Sequence, residues 1–176
     1  MKKIILTLPI LLCIIALLSC GSMKNGKDPD DMIEGRVVMA MNDDNTPKVV
    51  YYYKVDQNGK TTDEKIREIH YFPGKKKYVE GGFKNNLREG VWHAYFENGN
   101  VNTEVFYVDG KEHGDYKVYY ENGTLRYIEH YNMGICDGTW SFYAEDGSLV
   151  KEIIADENTA VCLRCPRCFE IMKKKQ

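Results

Sequence analysis

The side chains best equipped for chemistry in this chain are six cysteines and four histidines. Cys162, Cys165 and Cys168 form the run "CLRCPRC", Cys136 stands alone in a Gly-flanked stretch that reads as a turn, and Cys13 and Cys20 lie in the apolar N-terminus. A zinc ribbon needs two well-separated Cys-x-x-Cys pairs, and here only Cys136 could complete the set. Outside the cytoplasm thiols are more commonly used in disulfides, so a bridge within the run or to Cys136 is the favoured reading; free thiols and a Cys-ligated metal also fit the spacing. His70, His93, His113 and His130 belong to no HExxH, G-x-S-x-G or P-loop pattern. Three are expected on strands and His113 in a turn. The carboxylates are scattered, although Glu97, Glu121 and Glu145 recur at one spacing, as turn-flanking residues would. No nucleophile, base and pocket can be assembled, so the expectation is a non-enzyme with no catalytic residue, no metal, no cofactor and no small-molecule substrate. Twenty-four basic against 26 acidic residues (net charge −2) leave no basic footprint for nucleic acid.

The first twenty residues read as a targeting segment. "MKK" is followed by an apolar run over residues 4–18, shorter than the ~20 residues of a spanning helix. "LLSC" (residues 17–20) resembles the bacterial lipobox, and the resemblance implies cleavage before Cys20 and diacylglycerol attachment to its thiol. Gly21 stands where an Asp would resemble an inner-membrane retention signal, which implies an outer-membrane lipoprotein facing the periplasm or the exterior. The membrane is then a partner through the N-terminal lipid. "GSMKNGKDPDD" (residues 21–31) is too polar to bury a core and reads as part of a flexible tether over residues 20–31.

What must position any surface is a repeat. Asn98-Gly99, Asn122-Gly123 and Asp146-Gly147 recur every 24 residues. So do Gly90, Gly114 and Gly138, then Trp92, Tyr116 and Trp140, and then Tyr95, Tyr119 and Tyr143. The Asn-Gly and Asp-Gly pairs read as two-residue hairpin loops with positive φ at both positions. "VDGKEHG" (residues 108–114) and "NMGICDG" (residues 132–138) read as wider turns. Between them the chain alternates with a period of two. Trp92, Ala94 and Phe96 oppose His93 and Tyr95; Tyr116, Val118 and Tyr120 oppose Lys117 and Tyr119; Trp140, Phe142 and Ala144 oppose Ser141 and Tyr143. The first set stacks into an aromatic-aliphatic ridge and the second into a tyrosine ladder framed by polar groups. "VNTEVFY", "LRYIEHY" and "LVKEIIA" read as the returning strands.

Upstream the period degrades. Residues 71–90 align with the later units if one residue shifts near Pro73-Gly74, residues 49–60 and 65–72 read as an earlier hairpin, and residues 33–44 as a divergent first strand. The basic run "PGKKKY" (residues 73–78) reads as a solvated tip. The expected organisation is a signal peptide at 1–19, a tether at 20–31, repeats at 32–155 (clearest at 71–154), and a Cys-containing tail at 156–176. An isolated hairpin is marginal in water, so stacked units stabilise one another.

The pattern Y-x-x-G-x-x-x-G-x-Y/W-x-x-Y-x-x-N-G-x-L, met at residues 107–125 and with small changes at 131–149, resembles the MORN repeat. It is most similar to the bacterial variant often labelled an antitoxin component. The resemblance covers about residues 49–154 and implies an all-β fold: an elongated single-layer antiparallel stack of β-hairpins, here preceded by a signal-peptide helix and the tether. MORN repeats serve as interaction modules in unrelated proteins, and fold alone does not fix activity. The functional expectation is therefore a lipid-anchored, non-enzymatic envelope protein that binds or scaffolds a protein partner, or alternatively an immunity protein that neutralises a toxin in the envelope. The candidate contact columns are Trp92, Tyr116, Trp140 and Tyr95, Tyr119, Tyr143; whichever the core does not consume is the surface.

Overall fold

The computed structural model describes residues 29–154, and Cys20, the signal peptide, most of the tether and Cys162, Cys165 and Cys168 lie outside the described residues. Eleven strands form one open sheet: β1 (Arg36–Met41), β2 (Pro47–Val55), β3 (Thr61–Tyr71), β4 (Lys77–Lys84), β5 (Leu87–Tyr95), β6 (Val101–Val108), β7 (Lys111–Tyr119), β8 (Leu125–Asn132), β9 (Ile135–Cys136), β10 (Thr139–Tyr143) and β11 (Leu149–Ile154). Each strand pairs antiparallel with its sequence neighbours, except that β8 pairs with both short β9 and β10. Two 3-10 turns, Pro29–Met32 and Pro73–Lys75, complete the described chain. The all-β hairpin stack expected from the repeat is the fold observed.

The two kinds of connection are exchanged relative to the sequence reading. At Asn98-Gly99 only the glycine has positive φ, +93°. The Gly99 N–H donates to the Phe96 carbonyl and the Phe96 N–H to the Asn100 carbonyl, each at 2.9 Å. This is a three-residue loop, a type I turn closed by a left-handed residue. Asn98 is selected for its side chain rather than its φ, because its Oδ1 accepts the Asn100 N–H at 2.8 Å. Asn122 and Asp146 accept from Thr124 and Ser148 in the same way, at 2.8 and 2.9 Å. The two-residue loops with positive φ at both positions are instead Asn85-Asn86, Asp109-Gly110 and Met133-Gly134, the latter two inside the stretches that read as wider turns.

What widened those stretches in the sequence is a bulge just after each tight turn. Between the pairs Gly82↔Glu89 and Glu80↔His93, β5 spends four residue steps against two on β4. The β6–β7 pairing does the same between Tyr107↔Glu112 and Val105↔Tyr116. Gly90 and Gly114 have φ of +73° and +75° with open space around them, so backbone conformation and not crowding requires glycine there. His113 consequently lies within β7 and Cys136 within β9, buried opposite Tyr131, rather than in turns.

The core has two parts on opposite faces of the one sheet. Over β5–β10, Trp92, Val105, Tyr116, Val118, Tyr131, Cys136 and Trp140 form a cluster on one side. Over β2 and β3, Val50, Tyr52, Ile69 and Tyr71 form a second cluster. The register Val50↔Ile69↔Glu80↔His93 puts this second cluster on the face that carries His93, not Trp92. The 3-10 turn Pro29–Met32 secures it: the Tyr52 hydroxyl donates to the Asp30 carbonyl at 3.0 Å, and the Asp30 carboxylate pairs with Arg67 and Lys77, each at 3.0 Å. Pro29, Asp30 and Asp31, assigned by composition to the tether, are thus fastened to the first hairpins.

With no second layer among the described residues, the aromatic side chains cover one another across strands. Phe83 meets Trp92 edge to face at 5.3 Å, Trp92 meets Tyr107 at 6.1 Å, and Tyr116 meets Tyr131 at 6.1 Å. Such pairs add ~0.5–1.5 kcal/mol each beyond the area they bury. Both indoles also donate to backbone carbonyls, Trp92 to Gly82 at 3.1 Å and Trp140 to His130 at 3.4 Å. The Trp92 ring lies flat over Gly81, where a Cβ would come within 2.0 Å of it. Gly81→Ala is therefore expected to destabilise the protein by about 1–3 kcal/mol through overpacking in a chemical-denaturation experiment. An unchanged midpoint would show that the indole is not seated there.

Candidate interaction face

Opposite the Trp92 face over β4–β11, the register aligns a row of mostly polar residues: Glu80, His93, Glu104, Lys117, Ile128, Ser141 and Glu152. Most of the row is internally paired. Glu80 accepts from Arg67 at 2.6 Å and from Lys77 at 3.1 Å, and Glu104 meets His93 at 3.4 Å and Lys117 at 3.1 Å. The Ser141 hydroxyl bonds the Glu152 carboxylate at 3.0 Å, and His130 pairs with Asp115 at 2.6 Å. Burial alone would raise Glu80, but its bonds from Arg67, Tyr95 and Lys77 outweigh this and hold it below the usual carboxylate range. The Lys117 ammonium, assisted by His93, lowers Glu104 against a smaller desolvation effect.

Tyr95, Tyr119 and Tyr143 stand beside this row, all half-buried. The Tyr95 hydroxyl donates to Glu80 at 2.8 Å. Burial, then that carboxylate, pushes its ionisation well above the usual phenol range. Tyr119 is raised by burial and by Glu104. Next to the column, the directly paired Val91 and Phe106 are 48% and 41% exposed, a small apolar patch beside a charged one. Among the described residues, contacts between strands run between neighbours, so no other described element covers this face from β5 to β11. The other column is spent on the core: Trp92, Tyr116 and Trp140 are 3%, 8% and 1% exposed. Of the two columns singled out in the sequence, the tyrosines are the ones left at the surface.

On the Trp92 face the sheet offers two open hollows. One of about 150 Å³ lies among Arg88, Trp92, Thr103 and Tyr107. The other, of about 490 Å³, lies among Tyr120, Tyr127, Phe142 and Val150. Cations close over the rings here, Arg88 at 4.2 Å from Trp92 and Lys151 at 4.8 Å from Phe142. Among the described residues, no three His, Cys, Asp or Glu side chains converge as a metal site.

One buried group escaped the sequence reading. Glu129 is 1% exposed, directly opposite Tyr116, and accepts the Tyr131 hydroxyl at 2.9 Å. Every 24 residues its column holds Gly81, Val105 and Ile153, small or apolar in each other unit, and that column is the signal that marks it as a core position.

Residues 88–109 and 112–133 match the MORN repeat variant. Each matched stretch begins just before a bulge glycine, runs through the core strand, the three-residue turn and the return strand, and ends at or just before a two-residue turn. No curated protein and no solved structure matches the chain.

Burial raises the Glu129 carboxyl, with Glu112 adding to the effect and the Tyr131 hydrogen bond opposing it. A carboxyl raised in the folded state contributes stability below its unfolded-state range and loses it as pH rises through the folded value. Glu129→Gln is therefore expected to raise the melting temperature at neutral pH and to leave it little changed at acidic pH, with the difference opening above the ordinary carboxylate range. A difference that is constant with pH would show that Glu129 is not a desolvated carboxyl.

Proposed function

We propose that this chain is a lipid-anchored, non-enzymatic binding protein of the bacterial cell envelope whose half-exposed tyrosine face receives a protein partner. The observation that carries this reading is the division of labour between two aromatic columns. Trp92, Tyr116 and Trp140 are consumed by packing, whereas Tyr95, Tyr119 and Tyr143 are only half-buried on an open face. Rigid rings carry large contact area at low entropic cost. The surrounding row of Glu, Lys and His residues is internally paired and Glu80 holds Tyr95, so part of the ordering is already done before binding. The MORN repeat variant in the central units agrees with an interaction module. The N-terminal "LLSC" supplies the anchor, with Cys20 as the lipidated thiol.

Two experiments test the reading separately. Cys20→Ser should move the protein from the detergent-extracted membrane fraction to the soluble envelope fraction; retention in the membrane would exclude an anchor at that thiol. Cross-linked complexes isolated from solubilised envelope with the wild type should be lost, by about tenfold or more, from a Tyr119→Ala/Tyr143→Ala variant that melts as the wild type does. Tyr95 is left intact there because its hydroxyl holds Glu80. Recovery of the same complexes with both proteins would place the site elsewhere.

A further inference from the structure

The N-terminal edge of the sheet carries a second apolar surface, distinct from the tyrosine face. Met32, Ile33, Val37, Val38, Met39 and Met41 are all exposed, from 38% to 73%, within ten residues of chain. Four of them lie on the outer strand β1, whose outward backbone groups face no further strand among the described residues. Natural proteins usually blunt such an edge with charge, and β1 carries only Arg36, already paired with Asp31 at 2.9 Å.

We infer that β1 is a self-association edge, pairing antiparallel with β1 of a second copy about a two-fold axis perpendicular to the sheet. Charge selects this occupant. Such an axis places same-facing residues opposite one another, so the strand is read against its own reverse. In a pairing centred on Val38 or Met39, β1 sets apolar residues against apolar ones, and its one charge, Arg36, lies at the strand end, so no two like charges meet. The opposite edge behaves otherwise. In β11 Lys151 and Glu152 occupy the middle, and a centred two-fold pairing opposes Lys151 to Lys151 or Glu152 to Glu152. One edge is therefore self-complementary and the other self-repelling, which closes the assembly at two copies. Register shifts flanking Ala40 bend β1, so the shared ladder is short and the apolar side chains carry much of the contact.

The test uses the full chain carrying two different affinity tags, co-expressed, together with hydrogen exchange of the purified protein over a range of concentrations. The wild type should co-purify with its differently tagged copy, and amides of residues 36–41 should lose protection on dilution while those of β11 do not change. Val37→Lys/Met39→Lys should reduce co-purification about tenfold or more by opposing lysines across the axis. Leu149→Lys/Val150→Lys should leave it unchanged. The inference is overturned if the copies do not co-purify, if the β11 variant abolishes association as an open head-to-tail chain would require, or if residues 36–41 stay protected at every dilution because another segment of the same chain covers them. The wild-type exchange result stands even where the lysine variant fails to fold. Neither readout involves the tyrosine face, so this inference and the proposed partner site fail independently.

Discussion

Among the described residues the sheet is one strand-layer thick, with no opposing layer against which to bury its side chains, and this constraint governs the rest of the structure. Large rings must lie across neighbouring strands and cover each other, which small aliphatic residues could not do. Trp92 lies over Gly81 between Phe83 and Tyr107, and Tyr131 stands between Tyr116 and Trp140. The indole N–H groups, which burial would otherwise orphan, find carbonyls at Gly82 and His130. Cationic side chains then cap the outer ring faces. Lys65 sits 3.9 Å from the Phe83 ring and Arg88 4.2 Å from Trp92. Much of the tyrosine content of the described sheet is thus an answer to the missing layer, while the column on the far face stays partly exposed.

The period of 24 residues is enforced at both margins of the sheet by bonds between successive units. At one margin Gly110 donates its N–H to the Arg88 carbonyl and Gly134 to the Glu112 carbonyl, at 2.9 and 2.7 Å. One unit earlier Asn86 substitutes its side chain, accepting from the Lys65 N–H at 2.7 Å. At the other margin the Asn100 and Asn122 side-chain amides reach the carbonyls of Glu121 and Glu145 at 2.8 and 3.4 Å, and the Lys76 ammonium reaches the Glu97 carbonyl at 3.1 Å. The recurring glutamates therefore serve through their backbone, which leaves their carboxylates in solvent. The first described unit has no described predecessor to bond, and the Asp30 clip bonds Tyr52 and Arg67 on the face that Ile69 shares.

Much of this was legible in the sequence because its signals are local. Alternation along "VWHAYF" sorted Trp92 from Tyr95, and four columns at one spacing required a stack of hairpins. Turn geometry was less legible. Asn-Gly suits both a two-residue and a three-residue loop, and what separates them is whether the strand after Gly99 resumes at Asn100 with a carbonyl aimed at Phe96. The bulges hid the tight turns at Asp109 and Met133, since two extra residues before Gly114 and Gly138 lengthen what looks like loop. Long-range facts were not readable at all. The core changes face between β3 and β5, and the Pro29–Met32 turn docks on Tyr52 by a contact across 22 residues that no periodicity encodes. Glu129 looked like one more strand carboxylate until the register set it opposite Tyr116.

Both tryptophans of the chain, Trp92 and Trp140, belong to the column assigned to the core. Tryptophan emission therefore reports on that column and nothing else. Blue-shifted emission, scarcely quenched by acrylamide and iodide until the protein is unfolded, is expected. Water-like emission, quenched in the native protein as readily as in denaturant, would mean that the ridge lies in solvent and that the sheet is held together in some other way.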